Sequence, residues 1–482
     1  MAESSSGGRP EQEFQSPRIP FIGVPTNRDT STKDQRYVNV VFDTVKNPVT
    51  GHSRTFVHKR PGLANSTQPP AGAATGRGIY AWNGKIYSVF ANKIYSGTTD
   101  LGVTLAGSSG RCWFDETPQT FGTGQRLMVS DGTKLYSINT SDTVTTVSTS
   151  SDAQFPTANL GPVIYFDNYI FFAKSNGQIW NSDSDTEESY VTTSVLSAEM
   201  FGDDLEAIVK QKDQIVAFGK HATEFFYDNA NDSGSPLLRI DQNALQVGLV
   251  TKNSIAKNGD LIFFVGNTPK NQIGVWLING LTDVGKISTP QIDRLLAGEV
   301  ADISTCTAFS CRVMGHLLYG LNLDSAERTI VYDAEEKMWF EWSNTGTSKF
   351  PGIDSTELNG TVYFQDAANG RVYTFPSTTF QDSGTNFTVT IQTAAYDFDD
   401  PGRKLNVTLD IYGDITTGNL ATSWSDDDYA NFSTARNISL AGIKKRLTRC
   451  GHFRKRAFKF TYADNYAMRL EGFQIKYKQG RH

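Results

Sequence analysis

The chain has 482 residues and a mass of about 53 kDa, with 38% hydrophobic, 12% aromatic and 20% charged residues. Such a length excludes a single small module, and 42 glycines set mostly beside short aromatic or β-branched runs point to a folded, β-rich protein. Forty-five basic against 51 acidic residues leave a formal net charge of -6, which excludes a general polyanion binder and confines any DNA contact to a local patch.

From the N-terminus, residues 1–18 are rich in Ser, Gly, Glu, Gln and Pro and bury too little to offset ordering entropy, so they are expected to be flexible. Residues 19–65 are punctuated by proline, with extended runs at Tyr37 to Phe42 and Arg54 to His58, and are read as an extended arm and a first strand. Over 66–376 one pattern recurs: an apolar or aromatic run, a tight Asn/Asp/Gly turn, then a second run at strand periodicity. GIYAWNGKIYSVF at 78–90, RLMVSDGTKLYSI at 126–138 and STELNGTVYFQDAANGRVYTF at 355–375 are clear copies. Their turn residues Gly84, Gly132, Asn168, Asp213, Gly259, Gly315 and Gly360 fall 36 to 56 residues apart, the chain needed for a blade of four short strands. A lone hairpin is marginal, whereas radially arranged copies cover each other's faces. The expected fold is therefore all-β: a β-propeller of six or seven blades, with an array of β-sandwiches as the other arrangement. Trp82, Trp180, Trp276, Trp339 and Phe364 are expected to pack between blades. Short helices are expected only at Ser197 to Lys210 and Thr289 to Leu296.

A Ser/Thr/Gly stretch at 377–386 reads as a linker. Beyond it, 387–478 carries five strand-like runs, which suit a compact antiparallel sandwich-like domain. No run reaches the roughly 18 to 20 apolar residues of a membrane span, and the first 20 residues lack the apolar core of a signal peptide. Four cysteines in so long a chain make no disulfide framework and suit a reducing compartment.

Few residues suggest catalysis. The six histidines show no helical metal-site spacing, Cys306 and Cys311 lack a second pair, and there is neither a nucleophile elbow nor a phosphate-binding loop, so no metal or cofactor is expected. A glycosidase would need paired carboxylates, for which Asp167, Asp183, Asp203, Asp204, Asp324 and Asp333 are candidates; loop carboxylates, however, are usually turn formers. Ser425-Asp426-Asp427 matches part of the Asp-box turn of sialidase-like propellers but lacks its Gly and Trp. More informative is a basic segment. Lys444, Lys445, Arg446, Arg449, Arg454, Lys455, Arg456 and Lys459 place eight positive charges within sixteen residues of an acidic protein. Clustered Lys and Arg suffice to contact a phosphate backbone. The same segment also reads as a hairpin whose charges pair with Asp426, Asp427 and Asp428 or with a neighbouring subunit.

The C-terminal run Lys444-Lys445-Arg446-Leu447, then Arg454 to Phe460, then Leu470-Glu471-Gly472-Phe473-Gln474-Ile475, resembles the ending of the packaged-DNA stabilisation proteins of short-tailed bacteriophages, also called tail hub, tail accessory or nozzle proteins. Tyr37-Val38-Asn39-Val40 followed by Lys59-Arg60-Pro61-Gly62-Leu63 is similar to the family's opening, a YVN strand before an RPGL-like turn. This resemblance implies a structural virion protein, not an enzyme. It further implies a homo-hexamer beneath the portal and its adaptor that extends the channel for packaged double-stranded DNA and carries tail fibres or spikes and a plug or needle. Its expected location is the virion tail, reached through assembly in the host cytoplasm, with no membrane partner. A propeller-fold glycan-binding protein or glycosidase is the other reading.

Overall fold

A computed structural model describes residues 14–21, 35–66 and 72–480, apart from 47, 50, 157–159, 175, 199–203, 232, 242–243, 271, 281–282 and 345–347. The chain divides into two compact units, one built from 14–61, 338–344 and 378–480, the other from 62–337 and 348–377.

The second unit is a β-propeller. Its first blade has antiparallel strands Gly76–Trp82, Lys85–Phe90, Lys93–Ser96 and Thr99–Thr104, and its second has Trp113–Glu116, Arg126–Ser130, Leu135–Asn139 and Val144–Val147. Leu160–Phe166 opens the third blade, Leu205–Gln211 the fourth, and the fifth is centred on Leu261–Asn267 and Ile273–Asn279. Strands Thr307–Val313, His316–Leu323 and Arg328–Asp333, paired antiparallel in that order, take the next place. The sixth complete blade consists of Gly352–Leu358, Thr361–Asp366, Val372–Thr374 and Ala64–Asn65. Its outer strand thus comes from the opposite end of the propeller sequence, with Tyr373 opposite Asn65 and Thr374 opposite Ala64, and this pairing closes the ring.

The hairpins form where the sequence supplies turn residues that accept positive φ. Asn83 and Gly84 sit at 47° and 71°, and Asn359 and Gly360 at 51° and 73°, so both central positions of each two-residue turn are left-handed, as a type I′ turn requires. Alternation then aims apolar side chains at the neighbouring blade. Tyr87, Val89 and Ile94 pack with Leu127, Val129 and Ile138; Ile164 and Phe171 with Ile208 and Ile215; Val216 and Phe218 with Ile262 and Phe264. Phe263 stacks on Tyr319 at 5.0 Å, and Phe309 meets Phe364 edge-on at 5.1 Å, so the three strands between Thr307 and Asp333 have an aromatic contact on each side.

The first unit is a sandwich of two sheets. One contains Val40–Lys46, Ser53–Lys59, Arg469–Gln479, Lys404–Gly413 and Arg446–Thr448, with Arg18–Pro20 added on Arg469–Gln479 and His452–Phe453 on Lys404–Gly413. In the other, Met338–Asn344, Arg36–Val38, Val389–Tyr396, Arg456–Tyr462, Asn419–Ser425 and Arg436–Ser439 lie side by side. Phe473 of the first sheet meets Phe458 and Phe460 of the second at 5.1 and 5.4 Å, with Phe21 against both sheets.

The structure departs from the sequence reading in five places. Residues 36–59, expected in an extended arm, are sandwich strands: Tyr37, Val40, Val41, Phe42 and Val57 are buried, and these side chains need the cover that the sheets give. Of the flexible segment expected at 1–18, residues 1–13 lie outside the described residues; Arg18 already pairs with Gln474. The linker expected at 377–386 contains a small hairpin, Gln381–Asp382 with Thr385–Asn386. No helix forms at 205–210, where Ala207, Ile208 and Val209 are buried in a strand registered against Val216 to Phe218; 199–203 lie outside the described residues. Around Thr289 a short helix, Pro290–Arg294, does form, capped by the Thr289 hydroxyl. Among the aromatic residues expected between blades, Trp82 and Phe364 are buried there and Trp276 packs against the core of the fourth and fifth blades. Trp180 is half-buried with its indole N–H on Gln178, and Trp339 belongs to the sandwich.

Candidate functional site

Six first strands of the propeller, and the loops entering them, surround a cavity of about 440 Å³. Ile79 and Tyr80 come from the first blade, Arg111 to Asp115 from the second, Ile164 from the third, Ile208 to Lys210 from the fourth, Ala256 and Lys257 from the fifth and Asp354 from the last. Arg111 crosses the cavity wall, pairing with Asp354 at 3.2 Å, donating to the carbonyls of Asn253 and Ile255, and lying 4.6 Å over the Trp113 ring. Asp354 also accepts the backbone N–H groups of Ile79 and Ser355. Asp115 accepts those of Tyr165 at 2.7 Å and Glu116 at 2.9 Å. Burial raises the pKa of both carboxyls; hydrogen bonds from Tyr165 and Glu116 oppose the rise at Asp115, as the Arg111 charge does at Asp354. Lys257 is lowered by desolvation, against the pull of Asp115 and with the help of the Lys210 charge. The sequence reading missed this set because its members lie on six different blades, and only Arg111 and Asp115 are close in sequence.

The basic segment is not a uniform patch. Lys445 is buried, with its ammonium on the Gly413 carbonyl at 3.0 Å. Arg456, 1% exposed, is bidentate to Asp426 at 2.6 and 2.7 Å and donates to the carbonyls of Cys450 and His452. Arg446 is bidentate to Asp410, and the Lys459 ammonium lies 5.3 Å over the Phe432 ring. Lys455 is half-buried; Lys444, Arg449 and Arg454 are exposed. Outward charge is therefore carried by Lys444, Arg446, Arg449 and Arg454. The neighbouring Asp427 is a turn former: it accepts from Asn431 and Ser425, which hold its carboxyl down at about 2.

The structure brings together two runs far apart in sequence, Tyr37-Val38-Asn39 and Lys59-Arg60-Pro61. Arg60 is completely buried; it is bidentate to Asp382 at 2.6 and 3.0 Å, donates to Asn39 Oδ1 at 2.9 Å and to the Ser343 carbonyl at 3.0 Å, and lies 3.9 Å over the Phe387 ring. Asn39, at a φ of 60°, returns its amide to Ser343 Oγ and the Thr388 carbonyl. Lys59 is buried beside it, with its ammonium on the Asp464 carbonyl and 4.3 Å over Phe387.

The carboxylates considered for glycan hydrolysis are scattered. Asp167 occupies a hairpin turn at a φ of 44°, Asp183 accepts from Ser189, Asp204 pairs with Lys220 and Asp324 with Lys349. Asp203 lies outside the described residues. None of the described five lines the cavity. Asp333 lies with His316 and Glu335 in a cluster whose ligand atoms are within 4.8 Å of one another. His316 Nδ1 is 3.0 Å from Asp333, while Glu335 accepts the Leu317 N–H, the arrangement of a turn joined by its own hydrogen bonds. All four cysteines are buried free thiols, and burial raises every one, Cys112 and Cys306 to about 12.

A family model described as Bacteriophage P22 Gp10, beta-propeller, matches residues 17–380. No curated protein matches the chain. Among solved structures, BamB from Moraxella catarrhalis aligns at 11% identity and a TM-score of 0.38, over 69% of this chain and 97% of its own. The WD40 beta propeller domain of Doa1 aligns at 12% and 0.38, over 65% and 97%. An extracellular domain of a one component system from B. thetaiotaomicron gives 9% and 0.43, over 84% and 58%.

Proposed function

The chain belongs to the bacteriophage P22 Gp10 beta-propeller family of packaged-DNA stabilisation proteins, and from that membership we propose that it is the subunit of a six-fold tail nozzle that extends the DNA channel below the portal and its adaptor. The observation that carries the proposal is the span of the match, 17–380, which takes in the propeller and the N-terminal strands that help to build the sandwich. A virion structural role needs rigid blocks, and a ring closed by its own first strand is one. In a head-to-tail ring each outward charge of Lys444, Arg446, Arg449 and Arg454 is repeated sixfold, so a modest patch on one acidic subunit becomes a strong local field. Tail fibres or spikes, and a plug, would attach to the same ring.

The test is DNA retention by assembled particles carrying Lys444→Gln, Arg449→Gln and Arg454→Gln. Earlier genome leakage than wild type at low salt, with a difference that shrinks as salt screens both, is expected. Identical retention at low salt in particles of normal composition would remove DNA contact from the proposal.

A glycan-hydrolysing propeller is favoured by one observation: Asp115 and Asp354 line one cavity and burial raises both. Each is already engaged by two backbone N–H groups, and Asp354 by Arg111 as well. Loss of a measured glycan-cleaving activity on Asp115→Asn or Asp354→Asn exchange would establish that second reading.

A further inference from the structure

The axial cavity has two charged groups that the protein itself does not pair. Arg111 is taken by Asp354 and two carbonyls, and both carboxylates are taken by backbone donors. Lys210 and Lys257, on the first strand of the fourth blade and the inner strand of the fifth, have no ion pair within 4.0 Å among the described residues. The Lys210 ammonium rests over the rings of Tyr165 and Phe166, at 5.3 and 5.7 Å. Asp260, near Lys257, is paired with Lys212 instead. Asp115 is the carboxylate whose charge acts with both lysines among the described residues. The remaining wall is apolar and aromatic: Ile79, Ile164, Ile208 and Val209, with Tyr80 stacked flat on Phe114 at 5.8 Å.

We infer that this cavity is a binding site for a small organic phosphate, whose acidic head sits between Lys210 and Lys257 and whose flat body lies against Tyr80, Phe114 and Ile208. A volume of about 440 Å³ lies within the range of small-ligand sites, and a few convergent polar groups in a mostly apolar wall are their usual composition. Two ammonium groups held on adjacent blades repel each other, and an anion between them removes that repulsion while making charge-assisted hydrogen bonds. The site is built from propeller residues, whereas the segment proposed above for DNA contact belongs to the sandwich unit.

Calorimetric titration of the full chain with phenyl phosphate tests this, with phenol and inorganic phosphate as half-ligands. One saturable site is expected, with both half-ligands at least ~tenfold weaker, since each lacks either the head or the body. Lys210→Gln with Lys257→Gln should weaken phenyl phosphate by ~tenfold or more, at an unchanged ligand-free unfolding midpoint. Should that double variant not fold, single Lys257→Gln serves, with a loss of several-fold. Asp115→Asn removes the nearby negative charge and should tighten binding, an effect that a purely structural role would not produce. Absence of saturable binding in the millimolar range, equal affinity for phenol, or affinity indifferent to the lysine changes would overturn the inference.

Discussion

Arg60 shows how much of this structure depends on single buried polar groups. Five hydrogen bonds satisfy all five of its N–H donors, and its counter-ion Asp382 is only 8% exposed. Removing one partner of such a pair leaves an uncompensated buried charge, so Arg60→Met or Asp382→Ala should lower unfolding stability by about 3–5 kcal/mol, measured by denaturant titration. Arg60→Lys should not rescue it, because an ammonium cannot reproduce the bidentate fork. Sequence reading found the motifs that contain Asn39 and Arg60 but not their contact, since Asp382 lies 322 residues from Arg60 and no local periodicity links them. Next to it, Lys59 has its pKa lowered to about 8, by burial first and by the Arg60 charge second. Its folded pKa is below its unfolded value, so between about pH 8 and 10.4 the unfolded chain holds a proton that the folded chain has shed. Over that window wild-type stability should rise relative to Lys59→Met, read from unfolding midpoints at matched pH. A constant difference would mean that Lys59 titrates normally.

At the level of elements, what was local in sequence was legible. Asn-Gly turns between alternating runs gave the hairpins, because a type I′ turn and a half-buried strand both leave their signature within a dozen residues. Two features were not legible for the opposite reason. The helix expected at Ser197 to Lys210 overlaps the run that precedes the Asp213 turn, and pairing with Gln214–Gly219 and burial of Ile208 between blades decide for the strand. The basic segment showed its eight charges but not their fates, which depend on acids and carbonyls reached across strands, such as Asp410 and Asp426. Thermal unfolding should separate the two kinds. Arg456→Gln leaves Asp426 and the carbonyls of Cys450 and His452 without their donor and should cost about 1–3 kcal/mol, whereas Lys444→Gln and Arg454→Gln should stay within about 0.5 kcal/mol of wild type. Equal effects would contradict the division into buried and outward charges.

Across the whole molecule, the sequence repeat predicts a propeller, yet the first strands mislead. They look like a detached arm, but residues 36–59 are integral to the sandwich, and Ala64–Asn65 completes the last blade. The polypeptide therefore enters the sandwich, closes the propeller, runs around it and returns, so that neither unit is a continuous stretch of sequence. A chain starting at Arg77 would lose the closing strand and the sandwich's N-terminal strands together, and it should fail to give a cooperative thermal transition. The most direct test of the central claim is two-dimensional class averaging of the purified full-length protein, or of tails that contain it, by electron microscopy. A subunit of the proposed nozzle should give end-on views with six-fold symmetry and an open axial channel, whereas monomers alone, or a ring of another order in intact tails, would contradict it.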